Sequence, residues 1–166
     1  MYLEQAVQWS GPISGKRVNC TYGDDGLVYE IKFGGYGGRP QTITKRKAIP
    51  WDSLPILKGL NKISTMLTEQ IYNFCVAMCY PHGGIGINPH RDKEMKKGTT
   101  ICGWSFLSKR VLRMDPPRYI KTSPIQISLH PGSMYEFVPP TNDHWSHCIE
   151  KDDREGKRIS LTFRNY

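Results

Sequence analysis

His90 and Asp92 stand two residues apart in Asn88-Pro89-His90-Arg91-Asp92, and His147 lies far downstream in Asn142-Asp143-His144-Trp145-Ser146-His147. In an extended segment successive side chains alternate, so His90 and Asp92 point the same way. Two imidazoles and one carboxylate on one face of a metal leave the opposite face open. That donor set suits non-haem iron(II), whose free positions hold a cosubstrate together with oxygen. Taken alone, His-x-Asp is a common pair, and a solvated carboxylate beside an exposed histidine is the simpler reading. A hydrolytic zinc site from His82, His90, His144 and His147 is the other metal reading. Nothing in that spacing specifies zinc, and no general base accompanies it.

The C-terminal run Arg158-Ile159-Ser160-Leu161-Thr162-Phe163-Arg164 adds a second element. As a strand it puts Arg158, Ser160, Thr162 and Arg164 on one face and Ile159, Leu161 and Phe163 on the other. With the apolar face in the core, two inward arginines need anionic partners, because an unpaired buried guanidinium is costly. A dicarboxylate supplies them through paired hydrogen bonds to each planar fork. Six residues of straight strand span roughly 20 Å, so both arginines reach one small molecule only if the strand bends and the side chains converge. The alternative is a pair of surface arginines on an edge strand, the lesser reading even without the upstream triad.

Strands dominate the elements that must position these groups. Arg17 to Tyr22 and Leu27 to Phe33 flank Gly23-Asp24-Asp25-Gly26, a hairpin-like turn signal. Further strands are expected at Tyr72 to Tyr80, Ile101 to Leu107, Ile125 to Leu129, Ser133 to Val138 and Arg158 to Arg164. Apolar residues at Leu54, Leu57, Leu60, Ile63 and Leu67 predict one helix from about Ser53 to Leu67, with Asp52 or Ser53 as its cap and Pro55 in its first turn. Gly34 to Pro40 reads as a flexible loop and not a domain boundary. Many short strands with Gly/Pro-rich turns imply a sandwich or jelly roll with the helix packed outside.

The chain has 166 residues, which suits one domain with a full core. Hydrophobic content of 38% against 23% charged excludes the compositional signature of disorder. No apolar run is long enough for a membrane span, and the N-terminus does not resemble a secretory signal. The net charge of +8 favours a polyanionic partner without proving one. Basic residues gather at Lys45-Arg46-Lys47, at Lys93, Lys96 and Lys97, and at Lys109-Arg110 with Arg113. The five cysteines are odd in number and form no C-x-x-C, so a disulfide framework is not expected. An intracellular, reducing compartment (nucleus or cytoplasm) is the expectation.

Together, His90-x-Asp92, His147 and Arg158-x-Ser160-Leu161-Thr162-x-Arg164 resemble the AlkB family of Fe(II)/2-oxoglutarate dependent dioxygenases. Flanking segments resemble its DNA-repair demethylase branch most closely. They include Thr21-Tyr22-Gly23-Asp24, Gly26-Leu27-x-Tyr29, Tyr72-Asn73-Phe74, Tyr80, His90-Arg91-Asp92-x-Glu94, Gly132-Ser133 and Pro140-Thr141-Asn142-x-His144-Trp145-x-His147. The resemblance runs from about Arg17 to the end. It implies a mainly β fold, a double-stranded β-helix (jelly roll) with a flanking helix and an N-terminal nucleotide-recognition lid. The expected layout is a single domain over 1–166, with the lid in about 1–50 and the jelly-roll core in 70–166.

By the same resemblance, His90, Asp92 and His147 bind Fe(II). Arg158 and Tyr80 hold the far carboxylate of 2-oxoglutarate, and Arg164 meets the nearer one. The implied reaction removes N-alkyl groups from bases of the 1-methyladenine or 3-methylcytosine type in DNA or RNA. It converts 2-oxoglutarate and oxygen to succinate and carbon dioxide. Tyr22 and Tyr29 would line the lid over the base, with the His90 ring opposite, and Asp24 and Glu94 would meet its exocyclic amino group. Read from the residues alone, Tyr22 and Tyr29 are cross-strand packing in a hairpin. A monomer is expected.

Two departures stand out. The family usually has Asn where Met78 stands, and methionine cannot hydrogen-bond the cosubstrate well. Trp9 sits where repair enzymes of this branch carry a wedge for the base stack, yet N-terminal packing is the favoured reading of it. Two alternatives remain open: the same iron chemistry on a substrate other than nucleic acid, and a nucleic-acid-binding module with a degenerate iron site.

Overall fold

The computed structural model describes residues 3–11, 13, 15–33, 41–93 and 95–166. In chain order the elements are α1 (Leu3–Ala6), β1 (Val18–Gly23), β2 (Val28–Phe33), β3 (Thr42–Lys47), β4 (Ile49–Pro50), α2 (Pro55–Thr68), β5 (Phe74–Tyr80), β6 (Ile87–His90), β7 (Ile101–Leu107), β8 (Arg110–Asp115), β9 (Ile125–Leu129), β10 (Ser133–Phe137), α3 (Thr141–His144), β11 (Ser146–Ile149) and β12 (Arg158–Arg164). A six-stranded sheet runs β10-β7-β12-β5-β1-β4, a four-stranded sheet runs β6-β11-β8-β9, and β2 pairs with β3 alone. The architecture is mainly β with a few flanking helices.

Strand β12 sits inside the large sheet, paired antiparallel with both β5 and β7. Its alternation sorts the molecule into two compartments. Ile159, Leu161 and Phe163 are fully buried in a cluster with Cys75, Ala77 and Cys79 of β5 and with Trp51 and Leu57 from the helical side. The opposite face sends Arg158, Ser160, Thr162 and Arg164 into a cavity of about 650 Å3, which β6, β8 and β11 also line. A second cluster, including Tyr80, Ile101, Leu112, Phe137 and Ile149, closes the base of that space.

Helix α2 forms where its periodicity predicts, but its buried stripe differs. Leu54 and Leu57 are buried, whereas Ile63 is 45% and Leu67 60% exposed. Ser64 takes the inward position instead and is fully buried. Its hydroxyl donates to the Leu60 carbonyl at 2.8 Å and accepts from Trp104 Nε1 at 2.9 Å, which satisfies the polar group in the core. Neither Asp52 nor Ser53 caps the helix. Leu54 holds the N-cap position without a side-chain bond, and Asp52 pairs with Lys58.

The expected hairpin of β1 and β2 does not form. Gly26, at φ +76°, makes the turn, and Leu27 N–H returns to the Asp24 carbonyl at 3.0 Å. The strands then diverge: β1 joins β5 and β4, while β2 pairs with β3. Trp9 packs against the helix-side cluster and donates Nε1–H to the Glu4 carbonyl at 2.9 Å, the packing role favoured for it. All five cysteines are free and buried. Among the described residues no helix is long and apolar enough to cross a membrane. The Gly34 to Pro40 loop lies outside the described residues.

Candidate active site

Strand pairing sets the two imidazoles. His90 ends β6 and is the register partner of His147 on β11, and their ring centroids lie 4.4 Å apart. Asp92 follows two residues later. Its Oδ1 is 3.6 Å from His90 Nε2, and its Oδ2 is 3.9 Å from His147 Nε2. One donor atom from each of the three lies within 4.8 Å of the others. His90 Nδ1 lies 2.9 Å from the Asn88 carbonyl. That contact fixes its proton on Nδ1 and leaves the Nε2 lone pair for a ligand.

His147 is 8% exposed and packs on the Phe137 ring at 5.0 Å. Burial pushes its pKa down to about 4. Asp92 opposes the shift, and His90 and Arg164 add to it. The imidazole is therefore neutral near pH 7, the form that binds metal. His147 Nδ1 is buried without a partner. Two imidazoles and a carboxylate, each offering one donor atom to a common point, fit a divalent metal such as Fe(II).

The arginines of β12 mark the two ends of the cavity. Arg164 Nη2 is 3.0 Å from Asp92 Oδ2, so this guanidinium neutralises a carboxylate of the triad. Arg158 is 1% exposed. Its Nε donates to Ser105 Oγ at 2.9 Å, while Nη1 and Nη2 are buried with no partner. Two orphan donors on a buried cation cost several kcal/mol unless an anion meets them. The Arg158 guanidinium carbon lies 5.1 Å from the Tyr80 ring centroid, and that of Arg17 lies 5.9 Å from it. One end of the cavity thus holds a buried cation with unpaired donors, and the other a cluster of metal-ligating side chains.

A family model described as 2OG-Fe(II) oxygenase superfamily matches residues 8–164. The chain belongs to this superfamily. It falls in the AlkB-like branch: it is 31% identical over 159 residues to the DNA oxidative demethylase ALKBH2 of Bos taurus, covering 89% of this chain. The chain spans only 52% of that relative's length. The solved structure of OsALKBH1 shares the fold at a TM-score of 0.57 and 14% identity, over 91% of this chain and 78% of that one.

Three of the residues expected at the base, Tyr22, Tyr29 and Asp24, are held by packing and hydrogen bonds within the protein. Tyr22 is fully buried in the helix-side cluster, because β1 turns Cys20 and Tyr22 toward α2. Its hydroxyl accepts the Gln8 N–H at 3.1 Å. In this packing the ring faces α2 and not the cavity. Tyr29 is 6% exposed, packs on Phe74 at 5.1 Å between centroids and bonds the Thr21 hydroxyl. Asp24 accepts Trp51 Nε1–H at 2.7 Å. Glu94 lies outside the described residues.

Several cavity residues carry no sequence motif. Arg17 and Asn19 of the oxygenase reach the cavity from the β1 edge, and Tyr135 and Phe137 from β10. Burial raises the Tyr135 pKa to about 12, so its hydroxyl stays protonated. Period-two alternation along β1 and β10 could have nominated these side chains, but not which face is the cavity. The Lys109-Arg110-Arg113 cluster is not an open cationic surface. Arg110 is 1% exposed and donates to the Lys109 carbonyl at 2.9 Å and the Gly156 carbonyl at 2.5 Å, while Arg113 pairs with Asp115 and Glu150.

Proposed function

We propose that this oxygenase removes alkyl groups from the bases of DNA or RNA. The His90, Asp92 and His147 cluster beside a cavity with unpartnered Arg158 nitrogens carries the reading. His90, Asp92 and His147 would hold Fe(II). Bound with 2-oxoglutarate and oxygen, the metal would supply the oxidising power for hydroxylating an N-alkyl carbon, and the resulting hemiaminal would release that carbon as an aldehyde and leave the free base. Arg158, with Tyr80 against it, would take the far carboxylate of the cosubstrate. Arg164, held by Asp92, would place positive charge near the other carboxylate. Neutral His147 would offer its lone pair to the metal, and the burial of the His147 and Asp92 side chains would limit competition from bulk water.

Support for a nucleic-acid substrate comes from charge. The cavity continues on one side into a groove with Lys16, Arg17 and Lys151. On the other side it meets a depression with Arg91, Lys93 and Lys97. A polyanionic strand crossing the mouth would meet cations on both flanks. Exposed β3 adds Lys45, Arg46 and Lys47. The two sheets would then serve as walls of a double-stranded β-helix within one domain.

Buried Tyr22, packed Tyr29 and tethered Asp24 favour a second reading, in which the same iron site acts on another class of substrate. One experiment separates the two. Incubate the protein with Fe(II), 2-oxoglutarate and a panel of methylated DNA and RNA oligonucleotides, and follow demethylated product and succinate by mass spectrometry. Product dependent on both iron and 2-oxoglutarate is expected. Uncoupled succinate formation with no demethylated oligonucleotide would move the assignment to the second reading.

A further inference from the structure

We propose that Asn142 is a positioning residue that holds Asp92 in place as a metal ligand. The inference rests on reading His90, Asp92 and His147 as a metal site. The two histidines are register partners on β6 and β11, so the sheet itself fixes their backbones. Asp92 is different. Strand β6 ends at His90, and Asp92 lies beyond its last paired residue. No ladder constrains it, yet its carboxylate must meet two rings within a few ångströms.

The Asn142 side chain supplies what a neighbouring strand would have supplied. Its Oδ1 accepts the Asp92 N–H at 2.9 Å, and its Nδ2 donates to the Asp92 carbonyl at 2.8 Å. Nδ2 also lies 3.8 Å from Met95 Sδ. One amide thus satisfies both main-chain groups of a single residue, as an antiparallel partner does. The side-chain oxygens of Asp92 are left to the metal site and to Arg164.

The origin of the amide matters as much as its bonds. Asn142 belongs to α3, which leads through Trp145 into β11 and His147. The short connection that carries the third ligand therefore also clamps the second. A further tie joins the same two segments, with Arg91 Nη1 donating to the Asp143 carbonyl at 2.7 Å. The chemistry is specific to asparagine. Alanine leaves both Asp92 main-chain groups to water, and aspartate keeps an acceptor but loses the donor.

The test is a titration of metal-free protein with Mn(II), a divalent probe read by the electron paramagnetic resonance of the free ion, without substrate or turnover. Asn142→Ala is expected to weaken Mn(II) binding by about 10- to 100-fold, the usual loss when a partner of a metal ligand is removed. Asn142→Asp is expected to weaken it as well. The added negative charge should by itself attract a cation, so a loss there reports the missing N–H donor. Thermal unfolding of the metal-free variants, within a few degrees of wild type, shows that the loss is not global. If Asn142→Ala does not fold, the aspartate variant decides alone. Binding by Asn142→Asp as tight as wild type, or by Asn142→Ala within twofold of it, overturns the proposal. Wild-type protein that takes up no Mn(II) would instead overturn the metal-site reading beneath it.

Discussion

Asn19 on β1 stands opposite Met78 on β5 in the antiparallel register, and both side chains line the cavity. Directly opposed side chains on one sheet face lie about 5 Å apart at Cβ. The amide of Asn19 is therefore beside the position where methionine offers no hydrogen bond to a cosubstrate. A hydrogen bond to a charged group contributes about 1.5–3 kcal/mol. Asn19→Ala should raise KM for 2-oxoglutarate by about tenfold or more and change kcat little, measured by succinate formation. Met78→Asn in the Asn19→Ala background should recover most of that loss. A KM that does not move in Asn19→Ala would exclude the amide from cosubstrate binding.

Features set by local physics were legible in the sequence, and features set by distant contacts were not. The arginine face of β12 was legible because period-two alternation and burial cost act within seven residues. His90, Asp92 and His147 were legible through their residue types and flanks; β6–β11 pairing brings the two histidines together, and Asp92 follows just beyond the ladder. Ser64 was hidden, since one of the two partners that satisfy its buried hydroxyl is Trp104, forty residues away. The burial of Tyr22 was hidden for a related reason. The turn after β1 looks like a hairpin, but the choice between β2 and β5 as partner is made by tertiary packing. Arg110 reads as surface charge until the Gly156 carbonyl arrives to cover it.

Arg158 keeps two guanidinium nitrogens buried and unpartnered, so it should cost stability in the protein without ligand. Arg158→Met preserves much of the side-chain volume and removes the charge. The metal-loaded variant is expected to unfold at the same temperature as wild type or higher when 2-oxoglutarate is absent. Wild type should gain about 2.7 kcal/mol at a 2-oxoglutarate concentration of 100 times Kd. The variant should gain almost nothing at that concentration. Thermal unfolding with and without 2-oxoglutarate, using Mn(II) in place of iron, checks both halves. A ligand-induced shift preserved in Arg158→Met would refute this role for the guanidinium.

Gly103 on β7 is the register partner of Tyr135 on β10, and a Cβ at Gly103 would overlap the Tyr135 ring. The glycine makes room for that ring within the cavity wall. Gly103→Ala must displace Tyr135, and forced repacking of this kind costs about 1–3 kcal/mol. Chemical denaturation should show the destabilisation. In Gly103→Ala with Tyr135→Ala the steric part should vanish, so the double variant should lose less than the sum of the two single losses. Strict additivity would mean that the clash is relieved elsewhere.

Tyr22 offers the sharpest contrast between core packing and base recognition, because its ring is fully buried beside Trp51, Leu57 and Phe163. Tyr22→Ala should lose about 3–5 kcal/mol of stability, the usual cost of emptying a buried aromatic site. Any fall in its turnover should follow the fraction of unfolded protein and recover on cooling. Tyr22→Leu refills most of the space but cannot stack on a base. Its KM for a methylated oligonucleotide should equal that of wild type, measured well below its unfolding midpoint. A Tyr22→Leu protein that stays folded yet shows a KM raised tenfold would put the ring on the substrate, and would require β1 to rearrange when nucleic acid binds.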